Sequence, residues 1–243
     1  MNLRENVMNF KKKIVISAIA VAAASLSQES MALQAGDNII YVGGAFLFPS
    51  SSISSLNSTG PAGPLFNATT AGTTATVQNA STPIVSGFHM FTDNIAAELT
   101  IGVPVKMKVN MSIPNAGISG IEAADANASF PSLVVKYVFN TPADTFRPYI
   151  GLGVNYTYFN SISISNNPLV QGLAGTSQNL SSSVNPVFNV GGIYNLTDRW
   201  SLNFGISYVP MTTNVTFVGT GTTTTGKLTI NPTDVTLKLG YKF

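Results

Sequence analysis

The chain closes on VTLKLGYKF (235–243), and the reading of this stretch decides the fold. Successive side chains of an extended strand take opposite faces. Val235, Leu237, Leu239, Tyr241 and Phe243 therefore share one side, and Thr236, Lys238, Gly240 and Lys242 the other. One face is oily; the other is small or cationic. The pattern recurs upstream. Trp200, Leu202, Phe204, Ile206 and Tyr208 alternate with Ser201, Asn203, Gly205 and Ser207, and Ile150, Leu152, Val154, Tyr156 and Tyr158 with Tyr149, Gly151, Gly153, Asn155 and Thr157. Leu133, Val135, Tyr137 and Phe139 likewise alternate with Ser132, Val134, Lys136 and Val138.

Followed along the chain, the alternation predicts strands near 38–48, 83–92, 95–109, 129–140, 145–159, 184–195, 199–217 and 227–243. Each is rich in β-branched or aromatic residues and long enough to cross a bilayer at a tilt, which takes about 9–11 residues. The connections are as telling. TDN (92–94), NTPADT (140–145) and NLTDR (195–199) are short. The linkers 49–82, 110–128 and 160–183 are long, with GTGTTTTG (219–226) the shortest of that set. Short and long connections alternate, as in an outer-membrane barrel with tight periplasmic turns and larger external loops. A soluble sandwich has the same solvent at both ends and no reason to segregate its loops. The expected fold is all-β: an eight-stranded antiparallel up-and-down transmembrane barrel.

Composition agrees. Only 9% of the 243 residues are charged while 44% are hydrophobic, against roughly 25% charge in soluble domains. Ser, Thr, Asn and Gly take the place of charge. MNLRENVMNFKKK, an apolar IVISAIAVAAASL and the small-residue ending SQESMA form a signal peptide over residues 1–32, with cleavage after Ala32 or, alternatively, after Ala35. The barrel domain then spans 33–243. Cleavage after Ala32 removes four of the 12 basic and two of the 10 acidic residues and leaves the remainder formally neutral. The sequence pI of 8.8 therefore describes the leader and does not indicate nucleic-acid binding. An exported chain without cysteine cannot be a disulfide scaffold.

A soluble barrel would turn the oily face inward. Three features favour the inverse, with oily residues on membrane lipid. Aromatics cluster near strand ends, with Tyr241, Phe243, Trp200, Tyr137 and Phe139 at the short-turn end and Tyr156, Tyr158 and Tyr208 at the other, as in an interfacial girdle. The opposite face is Gly, Ser and Asn rather than the Lys and Glu of a soluble exterior. Phe243, the last residue, resembles the terminal aromatic signal read by the outer-membrane assembly machinery.

With small and polar side chains inside, Glu98, Lys136, Arg147, Lys238 and Lys242 fall near the periplasmic end, and Asp234 sits higher. Unpaired buried charge is costly, so this set is expected to form an ion-paired floor. The same parity carried upward nominates Leu47, Phe130, Phe159, Val209, Met211, Leu228 and Ile230 as an apolar outer funnel. A small hydrophobic molecule could enter there, could not cross the floor and would leave sideways. Pro104, Pro186, Pro210 and Pro232 each remove a ladder donor inside a predicted strand, inviting gaps or a shift of parity.

His89, the single histidine, lies near a periplasmic turn, the wrong end for the outer-mouth triad of a barrel acyltransferase, so it reads as a satisfied lumen or interface residue. No His, Cys and carboxylate cluster has metal spacing, no cofactor is expected, and the glycines of GLGVNY (151–156) lie inside a strand rather than a nucleotide loop. Two classes remain: a passive conduit for small hydrophobic molecules, or a non-conducting structural or recognition barrel whose loops bind a host or envelope partner. Neither is an enzyme, and a monomer is expected.

FRPYIGLGVNYTYF (146–159), TDN followed by IAAELTIGVPVK (95–106), FPSLVVKYVF (130–139), LTDRWSLNFGISY (196–208) and LTINPTDVTLKLGYKF (228–243) resemble, in order and spacing, the OmpW/AlkL family of eight-stranded outer-membrane barrels. The resemblance implies a narrow channel with a hydrophobic interior that admits small apolar compounds and releases them laterally. The long Ser/Thr-rich first loop, 49–82, departs from the family pattern.

Overall fold

The computed structural model describes residues 33–166, 171, 177–219 and 221–243; the leader at 1–32 and part of the 160–183 linker lie outside these. The strands are β1 (Asn38–Ile53), β2 (Asn57–Thr59), β3 (Thr74–Val77), β4 (Ala80–Met90), β5 (Ile95–Gly102), β6 (Val105–Ile113), β7 (Ile118–Ser129), β8 (Ser132–Val138), β9 (Phe146–Ile164), β10 (Ser177–Leu180), β11 (Ser183–Asn195), β12 (Trp200–Tyr208), β13 (Thr212–Gly219) and β14 (Thr222–Lys242). Antiparallel ladders join β1, β4, β5, β8, β9, β11, β12 and β14 in that order, and β14 pairs back onto β1. These eight strands close on themselves as a barrel, while in the upper part β10 and β3 each pair on one side only.

Three turns at the periplasmic end are tied by side-chain oxygens that accept from backbone amides three residues away. Thr92 Oγ1 accepts from Ile95 N (2.9 Å), Asp144 Oδ2 from Thr141 N (2.8 Å) and Thr197 Oγ1 from Trp200 N (3.0 Å). Thr and Asp in TDN, NTPADT and NLTDR thus supply the local bonds that such short reversals need.

The outer face of the lower barrel is apolar: Val42, Leu99, Val135, Leu152, Phe204 and Leu237 are all exposed. Such a continuous belt needs a hydrocarbon solvent. The predicted parity holds through this part of every strand.

The strands run further than the sequence reading predicted. β9 has 19 residues and β14 has 21, about twice a membrane crossing. The linkers 49–82, 110–128 and 219–226 are mostly not open loops. β1 continues to Ile53, β6 and β7 form a hairpin across a turn at Pro114–Ala116, β14 begins at Thr222, and Gly63–Thr70 is a short helix. In this extension the outer face turns polar, with Lys106, Asn214 and Lys227 outward, and the inner face turns apolar, with Met107, Val215 and Leu228 buried.

Prolines mark the junction. Ladders break at Val103–Pro104, Phe130–Pro131 and Val209–Met211, and Pro49 faces Pro232 across β1 and β14. A missing N–H explains each break; Thr82 Oγ1 donates to the Val103 carbonyl (2.7 Å) beside one of them. Parity shifts at three sites among the described residues. On β7 a bulge between Ala124 and Glu122 moves the inner set from Ala126 and Ala128 to Ala123. On β5 the inner residues are Ala96 and Glu98, whereas on β6 they are Val105 and Met107. On β9 a bulge at Ser161, with φ of 51°, moves the inner set from Thr157 to Ile162 and Ile164.

Candidate functional site: two stacked interior chambers

The interior is built in layers from the periplasmic end upward. The bottom layer is apolar: Leu33, Ile39, Tyr41, Phe88, Met90, Ala96, Val138, Tyr149 and Ile193 pack into one buried cluster. Leu33 comes from the segment preceding β1, which plugs the mouth. Arg147 fixes it there. Its fully buried guanidinium donates to the carbonyls of Leu33, Asp93, Phe139 and Asn140, tying the plug to two turns. The sequence reading placed Arg147 among ion-paired charges. Its partners are instead carbonyls, whose positions no residue type encodes.

Immediately above, Glu98 on β5 accepts from Lys136 on β8 and from Lys238, which reaches across the lumen from β14. All three side chains are almost wholly buried. Lys136 Nζ also lies 3.9 Å from the centroid of the Tyr149 ring. The carboxylate is shared between two ammonium groups, and the lumen is shut at this level. Glycine makes room for the tyrosines: a Cβ on Gly205 would lie 2.7 Å from the Tyr149 hydroxyl oxygen. Lys242 is not part of this floor. It sits lower, at the rim, with Nζ 3.2 Å from Asp37.

Over the floor opens a first chamber of about 930 Å³, including its mouth. Its lower wall is polar, with Glu98, Lys136, Lys238, Thr236, Asn189, Ser207 and Asp234; its upper wall is Leu47, Phe130, Val187, Val209 and Met211. Asp234 stands apart. Among the described residues it has no ion pair, and its Oδ1 is buried without a hydrogen-bond partner.

A packed apolar layer roofs this chamber: Val77, Val105, Met107, Ala128, Met211, Leu228 and Ile230, with Phe130 and Phe159 against them. The predicted funnel residues are therefore inside the barrel, but most of them form a constriction rather than an open mouth. A second chamber of about 980 Å³, including its opening, lies beyond, among Ile53, Leu56, Val109, Met111, Ile113, Ile118, Ile121, Val215, Phe217 and Leu228. Apart from Leu228, the sequence reading missed this wall. The signal available was the isoleucine spacing around the PNAG turn, Ile113, Ile118 and Ile121.

The barrel wall is interrupted beside the first chamber. The β11–β12 ladder ends at Phe188 and Tyr208, and the β10–β13 ladder resumes at Leu180 and Val215. Between them, 182–187 face 209–213 without ladder pairing, and this stretch contains Pro186 and Pro210. Val187 and Val209 line the chamber at that seam.

His89 lies at the periplasmic rim, with Nδ1 2.9 Å from Asn38 Oδ1 and its ring against Phe91. Phe243 ends the chain exposed, its amide donating to the Asn38 carbonyl (3.2 Å).

The sequence model of the OmpW family matches residues 34–243. Outer membrane protein W of Vibrio cholerae is 31% identical over 231 residues, 95% of this chain and 100% of that protein. The crystal structure of the outer membrane protein OprG from Pseudomonas aeruginosa superposes with a TM-score of 0.75 at 27% identity, covering 88% of this chain and 99% of that one. The solid-state NMR structure of outer membrane protein AlkL in lipid bilayers shares the fold, with a TM-score of 0.63 at 21% identity over 90% of this chain and 96% of that one.

Proposed function

Because the chain belongs to the OmpW family of outer-membrane proteins, we propose that this barrel is a passive, non-enzymatic conduit admitting small hydrophobic molecules from outside and releasing them sideways into the membrane. One observation carries the reading. An apolar outer chamber stands over a closed floor, and the wall of the inner chamber is interrupted where 182–187 face 209–213. A molecule partitioning into the outer chamber loses water contact at a gain of about 25 cal/mol per Å² of apolar surface. It then meets the constriction at Met211, Leu228 and Ile230, whose side chains must part for it to pass. The ion triad blocks descent, since an apolar solute cannot replace the bonds among Glu98, Lys136 and Lys238. The seam at Pro186 and Pro210 leaves no ladder to break, so the step into hydrocarbon needs only side-chain motion by Val187 and Val209.

Phe243 is the proposed address read by the assembly machinery, and residues 1–32 the proposed leader. The test is uptake of N-phenylnaphthylamine, which brightens on reaching hydrocarbon, by cells or liposomes carrying the barrel. Phe130→Asp and Leu228→Asp should each abolish it while the protein keeps the heat-dependent gel mobility of a folded barrel. Unchanged uptake would leave the recognition-barrel reading in its place.

A further inference from the structure

The floor triad accounts for three of the four charged side chains that line the inner chamber; Asp234 is the fourth. It is on the inner face of β14, between Leu47 on β1 and Ser207 on β12, and Ser207 in turn faces Asn189 on β11. Asp234, Ser207 and Asn189 thus form a row across three neighbouring strands. Asn189 donates its amide to the Ile206 carbonyl (3.1 Å) and to Ser207 Oγ (2.9 Å), which fixes its orientation and leaves Oδ1 as a buried acceptor without a partner. Asp234 Oδ1 is the second such acceptor in the same chamber. Neither lysine of the triad reaches them: the ion pairs of Lys136 and Lys238 are both with Glu98.

A carboxylate without a counter-charge at membrane depth is costly and marks a functional position. What the row lacks is N–H donors and positive charge. What surrounds it, at Leu47, Phe130, Val187 and Val209, is apolar. We propose that the inner chamber binds a small alkylammonium ion, its head on Asp234 and Asn189 and its alkyl chain along the apolar upper wall. An anion finds no unpaired cation there, and an alcohol brings a single donor and no charge. A primary ammonium brings three donors and neutralises the carboxylate. The inference rests on the conduit reading for its route of entry and narrows the solutes that the site retains to those with a cationic head.

The test compares n-butylammonium with 1-butanol, matched in chain, on the full mature barrel in lipid nanodiscs. Binding is read from the Asn189 side-chain amide resonance. The wild type should bind butylammonium more tightly than butanol, and Asp234→Asn should cut that affinity ratio by at least about tenfold, the worth of one charged hydrogen bond. Glu122→Gln, on the outer hairpin, should leave it unchanged. Asp234→Ser serves if Asp234→Asn loses the heat-dependent mobility of a folded barrel. Equal affinity for the two probes in the wild type, or a ratio that survives both Asp234 variants, overturns the proposal. N-phenylnaphthylamine uptake by the wild type separates the two readings. Ammonium preference without uptake keeps the site and removes the conduit; uptake without ammonium preference does the reverse.

Discussion

Below Pro232, strand β14 turns Val235, Leu237 and Leu239 outward and hides Lys238; above it, the same strand turns Lys227 and Thr225 outward and hides Leu228 and Ile230. The lower barrel is oily outside and, above its apolar bottom layer, holds the ions and amides within; the upper barrel is the reverse. Both obey one rule, that each face matches the medium it meets, and the medium outside changes from hydrocarbon to water partway up the strand. The interior follows from the exterior. Where lipid absorbs the apolar surface, the lumen can hold ions and amides; where water lies outside, the lumen must supply the core. The proposed function rests on that inversion, since the apolar chamber is in the watery half, where the proposed hydrophobic solute would arrive.

The largest effect that would break the comparison lies in the floor. Glu98→Leu leaves Lys136 and Lys238 facing each other, buried and unpaired, and should cost about 3–5 kcal/mol of unfolding free energy in bilayers. Urea titration followed by heat-dependent mobility measures it. A loss under about 1 kcal/mol would mean that the lower lumen is wet and the lysines are hydrated, contrary to a sealed floor.

Next comes the exterior. Leu152→Arg places a charge in the middle of the lipid belt and should cost about 2–4 kcal/mol, whereas Asn214→Arg, on the outer face of β13, should cost nearly nothing. Equal costs in the same titration would move the membrane boundary and void the division into halves.

How much of this was legible depends on height. In the lower half the lipid-facing positions keep strict period two, so parity read from Leu237 or Leu152 assigned faces correctly. Higher up, two kinds of information fade. Inner positions become alanine, as at Ala123, Ala126 and Ala128, and around them stand Ser, Gly, Asn and further alanines, so the contrast that reveals a strand disappears and 110–128 reads as loop. Parity also slips, at Pro104, at the β7 bulge beside Ala123 and at the Ser161 bulge, and only the first has a residue that announces it. Leu228, Ile230 and Met211 were reached because β12 to β14 keep parity through their prolines. Ile162 and Ile164 were missed because β9 does not. The lone state of Asp234 was not legible either, since pairing depends on which charges share a depth.

A smaller effect concerns the plug. Arg147→Met leaves the carbonyls of Leu33, Asp93, Phe139 and Asn140 without their donor and should cost about 1–3 kcal/mol. The loss should show first as faster amide exchange at Gly36, whose N–H donates to the Met90 carbonyl (2.8 Å). Unaltered exchange there would mean that packing of Leu33 alone holds the segment. The same clamp bears on processing. Cleavage after Ala32 keeps the Leu33 carbonyl for Arg147 and cleavage after Ala35 discards it, so the mature chain should begin at Leu33, and its intact mass decides.

The smallest effect sharpens the contrast between a buried ion pair and an exposed one. Lys108 and Glu122 face each other on the outer side of the β6–β7 hairpin, 2.9 Å apart and open to solvent. The hydrogen bond to Glu122, and then its charge, raise the Lys108 pKa above the ordinary lysine value. A raised pKa means that the pair's contribution is complete below the ordinary value of about 10.4 and fades as pH climbs through the raised one. At neutral pH the charge is therefore fully formed, yet water and salt screen it. Glu122→Gln should accordingly leave the midpoint of urea unfolding where it was at neutral pH, in low and high salt alike. The triad, sealed from both, should respond to the loss of its one carboxylate at any salt concentration. A salt-sensitive destabilisation by Glu122→Gln would show that the hairpin is held by its charges, and the upper barrel would then owe its order to more than the apolar lining it encloses.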